Sequence, residues 1–296
     1  MTDKNRTPAG EKAGVPKRIF AAARTEAKTA RDSVATPQTE DPAYRLAFQD
    51  DEFLLREDLR PVRFQLELLK TQLTLEEANI GSTFVFYGSA RIPSPDRAPL
   101  LLEAAKTPEQ KRIADNLVAN SKYYEIARAL ARLASGVCAD EDGRRQFVVC
   151  SGGGPSIMEA ANRGAADVGA ETIGLNIVLP HEQAPNPYVT PRLSLRFHYF
   201  ALRKMHFLLH ARAVAVFPGG FGTFDEFFEL LTLVQTGKIA PLPILLFGRD
   251  FWDRVVDWQA LADHGVIAPQ DLELFRFVES ADEAWTIVRD WYGVEQ

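Results

Sequence analysis

The chain has 296 residues, of which 46% are hydrophobic and 25% charged, a composition typical of a soluble globular protein. Its net charge is −6, and residues 51–296 carry 25 basic against 33 acidic side chains. This acidic body argues against duplex nucleic acid as a partner, and the lack of any apolar run of roughly 18–20 residues argues against a membrane span.

Two segments precede the first strand-like run. Residues 1–45 are rich in Ala, Thr, Lys, Asp and Pro without apolar periodicity, which predicts a disordered tail, although residues 18–35 could form a transient helix. Residues 46–80 have helical spacing interrupted by Pro61. We therefore predict an N-terminal helical extension of one or two helices.

From residue 81 onward, apolar strands alternate with helices. Residues 107–136 form one predicted helix with a Thr107–Gln110 capping pattern, and residues 249–265 form another. Strands that are apolar throughout and alternate with long helices predict a parallel sheet covered on both faces. The predicted fold class is α/β, with a single doubly wound parallel sheet (Rossmann-like) over residues 81–296. The predicted strands are the runs STFVFY, RQFVVC, ETIGLNIVL, RAVAVF, LPILLFG and FRFVES.

Three predicted strand-to-helix turns are rich in glycine: YGSAR (87–91), CSGGGPS (150–156) and FPGGFGT (217–223). Ligands of such sheets bind beyond the carboxyl ends of the strands, where these turns lie. Glycine lets backbone N–H groups approach a ligand, and a helix N-terminus adds unpaired donors and partial positive charge. The sequence therefore predicts a site for phosphate or another anion. The candidate residues in these turns include Gly88, Ser89, Gly152, Gly153, Gly219, Gly220, Gly222 and Thr223.

Two carboxylates follow the third glycine turn, in the stretch PGGFGTFDE. If Asp225 and Glu226 lie in the first helical turn, they point about 100° apart, so one can face a pocket while the other caps the helix or faces solvent. The alternative is that both only stabilise the helix dipole. Arg203 and Lys204 stand in the apolar stretch YFALRKMHF, where a cation needs an anionic partner unless it lies on a solvated face.

The sequence motifs of several other kinds of binding and catalytic site are absent. The triplet in GGGPSIME follows the second strand and lacks the third glycine of a dinucleotide fingerprint, and no P-loop or G-x-S-x-G elbow occurs. His198, His206 and His210 lie near one helix without an H-E-x-x-H pattern, so we interpret them as packing or surface histidines. We expect no bound metal.

The cysteines bear on the compartment. Cys138 and Cys150 are too few for a disulfide framework, and we expect both to be buried, reduced thiols. Because the N-terminal region also has no secretory pattern, the expected location is the cytoplasm.

The stretch PGGFGTFDE, together with the RK of ALRKMHF, resembles the signature PGGxGTxxE of the LOG ("Lonely Guy") family, whose members have often been labelled lysine decarboxylase-like. The resemblance covers about residues 81–290. The stretches GGGPSIMEAANRGA and LPHEQAPNPYV are similar to the longer bacterial subgroup.

The resemblance implies a phosphoribohydrolase without a cofactor. Such an enzyme cleaves the N-glycosidic bond of a nucleoside 5′-monophosphate to free base and ribose 5-phosphate, with AMP or N6-substituted (cytokinin) adenosine monophosphates as substrates. Arg203 and Glu226 match the catalytic pair of the family, and a homo-oligomer, a dimer or larger, is implied. The positions that match its nucleotide-binding residues are Glu182, Lys204, Gly219, Gly220, Phe221, Gly222, Thr223, Phe224, Asp225 and Thr232.

Departures and alternatives accompany the resemblance. Asp225 stands where many members have Glu, and Glu159 stands where the short members have Gly, so the base that is accepted can differ. A non-catalytic nucleotide or molybdenum-cofactor carrier on the same fold is the alternative, but a carrier has no need of Arg203 and Glu226. Decarboxylation is disfavoured because the sequence around Lys204 shows no pattern of a pyridoxal phosphate site.

Overall fold

The computed structural model describes residues 20–32, 34–180 and 184–294. The chain divides into two compact units between Arg63 and Phe64. The Rossmann-like domain was predicted to begin at residue 81. The difference arises because side chains before residue 81, including Phe64 and Leu75, pack into the core of the second unit.

The first unit consists of short helices joined by turns. Thr36 and Asp50 cap two of these helices by accepting backbone N–H groups, and none of the helices confined to this unit buries a side chain. Residues 1–45 were predicted to form a disordered tail, and of these residues 1–19 and Ser33 lie outside the described residues. The helices are α1 (Ala23–Arg31), α2 (Pro37–Glu40) and α3 (Asp51–Leu54), with 3₁₀ turns at Pro42–Tyr44, Ala47–Gln49 and Glu57–Leu59.

The second unit is built on a seven-stranded, wholly parallel sheet in the order β4-β3-β2-β1-β5-β6-β7. This arrangement confirms the predicted α/β class with a single doubly wound sheet. The strands are β1 (Thr83–Tyr87), β2 (Val148–Ser151), β3 (Ile173–Ile177), β4 (Ser194–Phe197), β5 (Ala211–Val216), β6 (Ile244–Phe247) and β7 (Arg276–Val278).

Helices cover both faces of the sheet, and the side chains of each strand alternate between two cores. In β1, Val85 and Tyr87 enter one core, whereas Phe84 and Phe86 enter the other. The other helices of the chain are α4 (Arg60–Glu77), α5 (Ala98–Ala104), α6 (Pro108–Ala119), α7 (Lys122–Ala134), α8 (Ile157–Ala166), α9 (Phe200–Leu209), α10 (Phe221–Gln235), α11 (Arg249–Val255), α12 (Trp258–Asp263) and α13 (Ala281–Tyr292), with 3₁₀ turns at Pro191–Leu193 and Pro269–Glu273. Of these, α4, α9, α10 and α11 cover the first core, and α7, α8 and α13 cover the second.

Three local predictions need correction. The helix predicted over residues 107–136 is two helices, α6 and α7, although the Thr107–Gln110 capping box is present. The helix predicted over residues 249–265 is also two, because the side chain of Asp257 caps a new helix. The edge strand β4 was not predicted, since it is short and half exposed.

Two further observations concern the cysteines and the membrane. Cys150 is buried as expected, but Cys138 is exposed, so the expectation of two buried thiols is wrong for Cys138. Among the described residues, no helix combines the length and the apolar character needed to cross a bilayer.

Candidate active site

The first and third glycine turns meet at the centre of the sheet, between β1 and β5. The backbone N–H of Phe217 donates to the carbonyl of Tyr87 at 2.8 Å, and that of Ser89 donates to Pro218 at 3.1 Å. Strand order reverses direction here, since β2 lies on one side of β1 and β5 on the other. Such a switch point is where doubly wound sheets bind ligands.

A cavity of about 860 Å³ opens at this switch point. Its size falls within the usual range for small-molecule sites. Ten of the predicted site residues line it: Gly88, Ser89, Arg203, Gly219, Gly220, Phe221, Gly222, Thr223, Phe224 and Glu226.

The third glycine turn leads directly into α10, and the N-terminus of this helix lines the cavity. The helix begins at Phe221, with Gly220 as the N-cap, and its first backbone bond runs from Phe224 to Gly220 at 3.1 Å. The preceding N–H groups therefore have no partner within the helix. A β-carbon on Gly219 would stand 2.6 Å from Cβ of Thr223, so this close turn needs glycine at that position.

The early start of α10 corrects the placement of the two carboxylates. The first turn contains no acidic residue, and Asp225 and Glu226 lie in the second turn. An effect on the helix dipole, which acts within the first turn, is therefore a weaker explanation for them. They diverge as expected, with 55% of the Asp225 side chain exposed against 15% of the Glu226 side chain.

Glu226 faces Arg203 across the α9–α10 packing. Nη1 of Arg203 lies 3.3 Å from Oε1 of Glu226, and the Arg203 side chain is 12% exposed. Arg203 is held in place by a 2.6 Å hydrogen bond from Nε to the carbonyl of Leu175, and its guanidinium lies 5.1 Å from the ring centroid of Phe207. A backbone carbonyl, an aromatic ring and a carboxylate thus fix the guanidinium in the cavity wall.

Burial raises the pKa of Glu226 to about 7, although the positive charge of Arg203 opposes that rise. Asp225 raises it slightly further and Lys204 lowers it. Glu226 therefore changes its protonation state near neutral pH. A carboxyl that does so in a cavity can exchange protons with a ligand.

Lys204 is also ion-paired, but outside the cavity lining. Its Nζ lies 2.7 Å from Oδ1 of Asp225 and 3.2 Å from Oε2 of Glu229. Burial alone would lower the pKa of Lys204, but the hydrogen bonds to these two carboxylates outweigh it and the pKa is raised. Lys204 and Asp225, both predicted to bind the nucleotide, thus contact each other.

The second glycine turn lies next to Arg203, a residue of the cavity wall, and does not line the cavity. A β-carbon on Gly152 would stand 2.5 Å from Nη2 of Arg203, so Gly152 makes room for the guanidinium. Gly153 has a φ of 73°, and a side chain there would collide with Asn176. Neither glycine lines the cavity itself.

Two further predicted residues, Glu159 and Thr232, lie away from the cavity lining. Glu159 accepts a 2.9 Å hydrogen bond from the hydroxyl of Tyr124. The hydroxyl of Thr232 donates to the carbonyl of Phe228 in its own helix at 2.8 Å. Glu182 lies outside the described residues.

Five lining residues were not predicted from the sequence: Ala90, Arg91, Met158, Phe251 and Val255. Arg91 belongs to the glycine turn YGSAR, so its place near the end of β1 is visible in the sequence. Phe251 and Val255 are spaced i and i+4 on α11, which follows β6 and its terminal glycine, Gly248. Nothing local in the sequence indicates that α11 reaches the cavity.

No group of three or more His, Cys, Asp or Glu side chains suited to a metal ion occurs within the described parts of the chain. Lys204, the lysine beside the cavity, is engaged with two carboxylates.

Comparison with known proteins supports the family resemblance. Residues 158–288 match the family model described as "Possible lysine decarboxylase", the label that LOG proteins have carried. This match agrees with the family resemblance that was predicted from the sequence. No curated protein matches the chain.

Two solved structures are similar to the chain over most of their own length. One is the crystal structure of TM1055, a structural genomics target, with 22% identity, a TM-score of 0.43 and coverage of 71% of this chain and 99% of that one. The other is the Moco carrier protein from Chlamydomonas reinhardtii, with 14% identity, a TM-score of 0.39 and coverage of 72% and 98%.

Proposed function

We propose that this LOG-family protein hydrolyses the N-glycosidic bond of a nucleoside 5′-monophosphate, releasing the free base and ribose 5-phosphate. The observation that carries the proposal is the buried Arg203–Glu226 pair in the wall of the cavity that the N-terminus of α10 enters. An anion-binding turn next to a carboxyl that ionises near neutrality matches the two chemical needs of the reaction.

The phosphate would bind at the start of α10. The backbone N–H groups of Gly220, Phe221, Gly222 and Thr223 are the proposed donors, and the Thr223 hydroxyl adds another. Arg91 lines the same cavity, and no ion pair of Arg91 occurs among the described residues. Since Glu226 compensates Arg203, Arg91 is the cation left for the phosphate.

The reaction would proceed by attack of water on C1′ of the ribose. As the bond from C1′ to the base breaks, its electron pair leaves with the base, and positive charge develops on the ribose. The ionised carboxylate of Glu226 stabilises that charge and accepts a proton from the attacking water. Transfer of that proton to the departing base completes the reaction and returns Glu226 to its ionised form. Arg203 orients the carboxylate and the ribose.

The apolar lining would contact the base. Met158, Phe224, Phe251 and Val255 contribute hydrophobic surface to the cavity, which suits a purine and leaves room for an N6 substituent. AMP and N6-substituted adenosine monophosphates are therefore the substrates we would test first. By the same resemblance, we propose a cytoplasmic homo-oligomer.

The alternatives are less well supported. A carrier that only binds a nucleotide or molybdenum cofactor does not need a buried carboxyl with a pKa near 7. A pyridoxal phosphate decarboxylase needs a lysine free to form a Schiff base, and Lys204 is held by Asp225 and Glu229.

The test is incubation of the protein with a panel of nucleoside 5′-monophosphates and the matching nucleosides, with free base measured by chromatography. We expect base release from AMP or its N6-substituted forms and far slower release from adenosine, because phosphate binding positions the sugar. Binding of AMP without any base release would favour the carrier. Equal rates for AMP and adenosine would contradict the role of the glycine turn.

A further inference from the structure

We propose that Lys204 is a positioning residue, which holds Asp225 and Glu229 so that Arg203 pairs with Glu226 alone. The inference rests on the proposed function for its kinetic consequences, but its basis is the packing of α9 against α10. It assigns Lys204 a role different from the nucleotide contact that the family resemblance implies.

The geometry consists of two adjacent cations facing three carboxylates. Arg203 and Lys204 are consecutive on α9, and Asp225, Glu226 and Glu229 fall within little more than one turn of α10. Lys204 reaches Asp225 at 2.7 Å and Glu229 at 3.2 Å, whereas Arg203 reaches Glu226 at 3.3 Å. The five charged side chains thus form two separate ion-paired groups: Arg203 with Glu226, and Lys204 with Asp225 and Glu229.

This separation of the ion pairs matters because Arg203 could also pair with a second carboxylate. A guanidinium has five N–H donors and pairs readily with more than one carboxylate. Asp225 and Glu229 are 55% and 38% exposed, so both side chains have room to move. If Lys204 were neutral, they would repel each other and Glu226, and the nearest cation on α9 would be Arg203.

The charges around Glu226 predict the direction of the effect. Burial raises the pKa of Glu226 most, Arg203 and Lys204 lower it, and Asp225 and Glu229 raise it. Tyr87 and Cys150 also face this group, but burial raises the pKa of each, so both are neutral where Glu226 titrates. Loss of the Lys204 charge therefore keeps Glu226 protonated to higher pH.

The experiment compares three variants of the full chain: Lys204→Met, Lys204→Arg, and Lys204→Met combined with Asp225→Asn and Glu229→Gln. The titration of Glu226 is followed by NMR of carboxyl-labelled glutamate, assigned with Glu226→Gln, and kcat and KM for AMP are measured against pH. The NMR readout does not depend on activity.

In Lys204→Met we expect the titration of Glu226 to shift upward by roughly 0.5–1 pH unit, with the acidic limb of kcat/KM shifting equally and KM nearly unchanged. Lys204→Arg should restore the wild-type midpoint. The triple variant should restore it too, because it removes the two carboxylates that Lys204 holds. If Lys204→Met does not fold, a midpoint of the triple variant that lies above the wild-type value overturns the proposal.

Three outcomes would overturn the proposal: an unshifted titration in Lys204→Met, a raised KM at constant midpoint, or a triple variant as impaired as Lys204→Met. A raised KM would instead support a nucleotide contact. If the wild type releases no base from any nucleotide but the titration shifts as expected, the proposed function fails and the positioning role stands.

Discussion

Nη1 of Arg203 and Oε1 of Glu226 lie 3.3 Å apart in the wall of the cavity at the β1–β5 junction, although 22 residues separate them in the chain. Both side chains are largely buried, and burial rather than the ion pair dominates the protonation of Glu226.

The first prediction concerns the carboxylate itself. Glu226→Gln keeps the size of the side chain but can neither accept a proton nor stabilise a cation as strongly. We expect base release from AMP to fall about 100- to 10,000-fold, with a folded protein and AMP binding retained. Single-turnover kinetics and calorimetric binding measure the two effects.

Glu103→Gln is the matched control, because Glu103 is an exposed carboxylate on α5, away from the cavity lining. It should leave the rate unchanged. A Glu226→Gln variant as active as the wild type would remove the proposed mechanism.

The second prediction concerns pH. If the ionised form of Glu226 is required, kcat/KM for AMP should rise with pH, pass through its half-maximal value near pH 7 and level off above it. An ordinary exposed glutamate would leave the profile flat above about pH 6. Rates measured from pH 5 to 9 provide the check.

The phosphate of AMP itself titrates near pH 6 and must be separated from the enzyme. Affinity of Glu226→Gln for AMP, measured over the same pH range, reports the phosphate alone. If the pH dependence of that affinity explained the whole rise of kcat/KM, no titration of Glu226 would be needed and the prediction would be wrong.

The third prediction uses two glycines of one turn. A β-carbon at Gly152 would stand 2.5 Å from Nη2 of Arg203, whereas one at Gly154 would meet first the terminal methyl of Met158, at 2.8 Å. Gly152→Ala should displace the guanidinium and reduce kcat by about 100-fold, since small misplacements are costly in catalysis. Gly154→Ala should be tolerated because the methionine tip can move.

Melting temperatures of both variants provide the control for folding. Similar melting temperatures with unequal rates are expected. Equal loss of rate in the two variants would mean that the turn, rather than the room it leaves for Arg203, determines activity.

The fourth prediction concerns Arg91. Arg91 lines the cavity and has no ion pair among the described residues. If its guanidinium binds the phosphate, Arg91→Ala should raise KM for AMP about tenfold or more, in line with a lost charge-assisted hydrogen bond of about 1.5–3 kcal/mol. The slow hydrolysis of adenosine should be unaffected. Arg97→Ala, at an exposed position outside the cavity lining, should behave as wild type. A KM for AMP that stays at the wild-type value in Arg91→Ala would exclude the phosphate contact.

Local patterns determined the parallel α/β sheet, the three glycine turns and the candidacy of Glu226. Apolar strands covered on both faces leave continuous hydrophobic runs, and turns that need close backbone approach leave glycine, so both are visible in a single sequence. Helix breaks at Asn120–Ser121 and before Asp257 were not predicted, because the flanking residues favour helix and the break is imposed by packing and by a cap.

Only the tertiary structure decided which of these features meet. Strand order places the β1 turn beside the β5 turn, which brings Arg91 and the N-terminus of α10 to one cavity. It also decided that Glu226 faces Arg203 while Asp225 engages Lys204. The physical reason is that strand order, ion-pair choice and burial depend on contacts between residues far apart in the chain, whereas periodicity and turn chemistry are local.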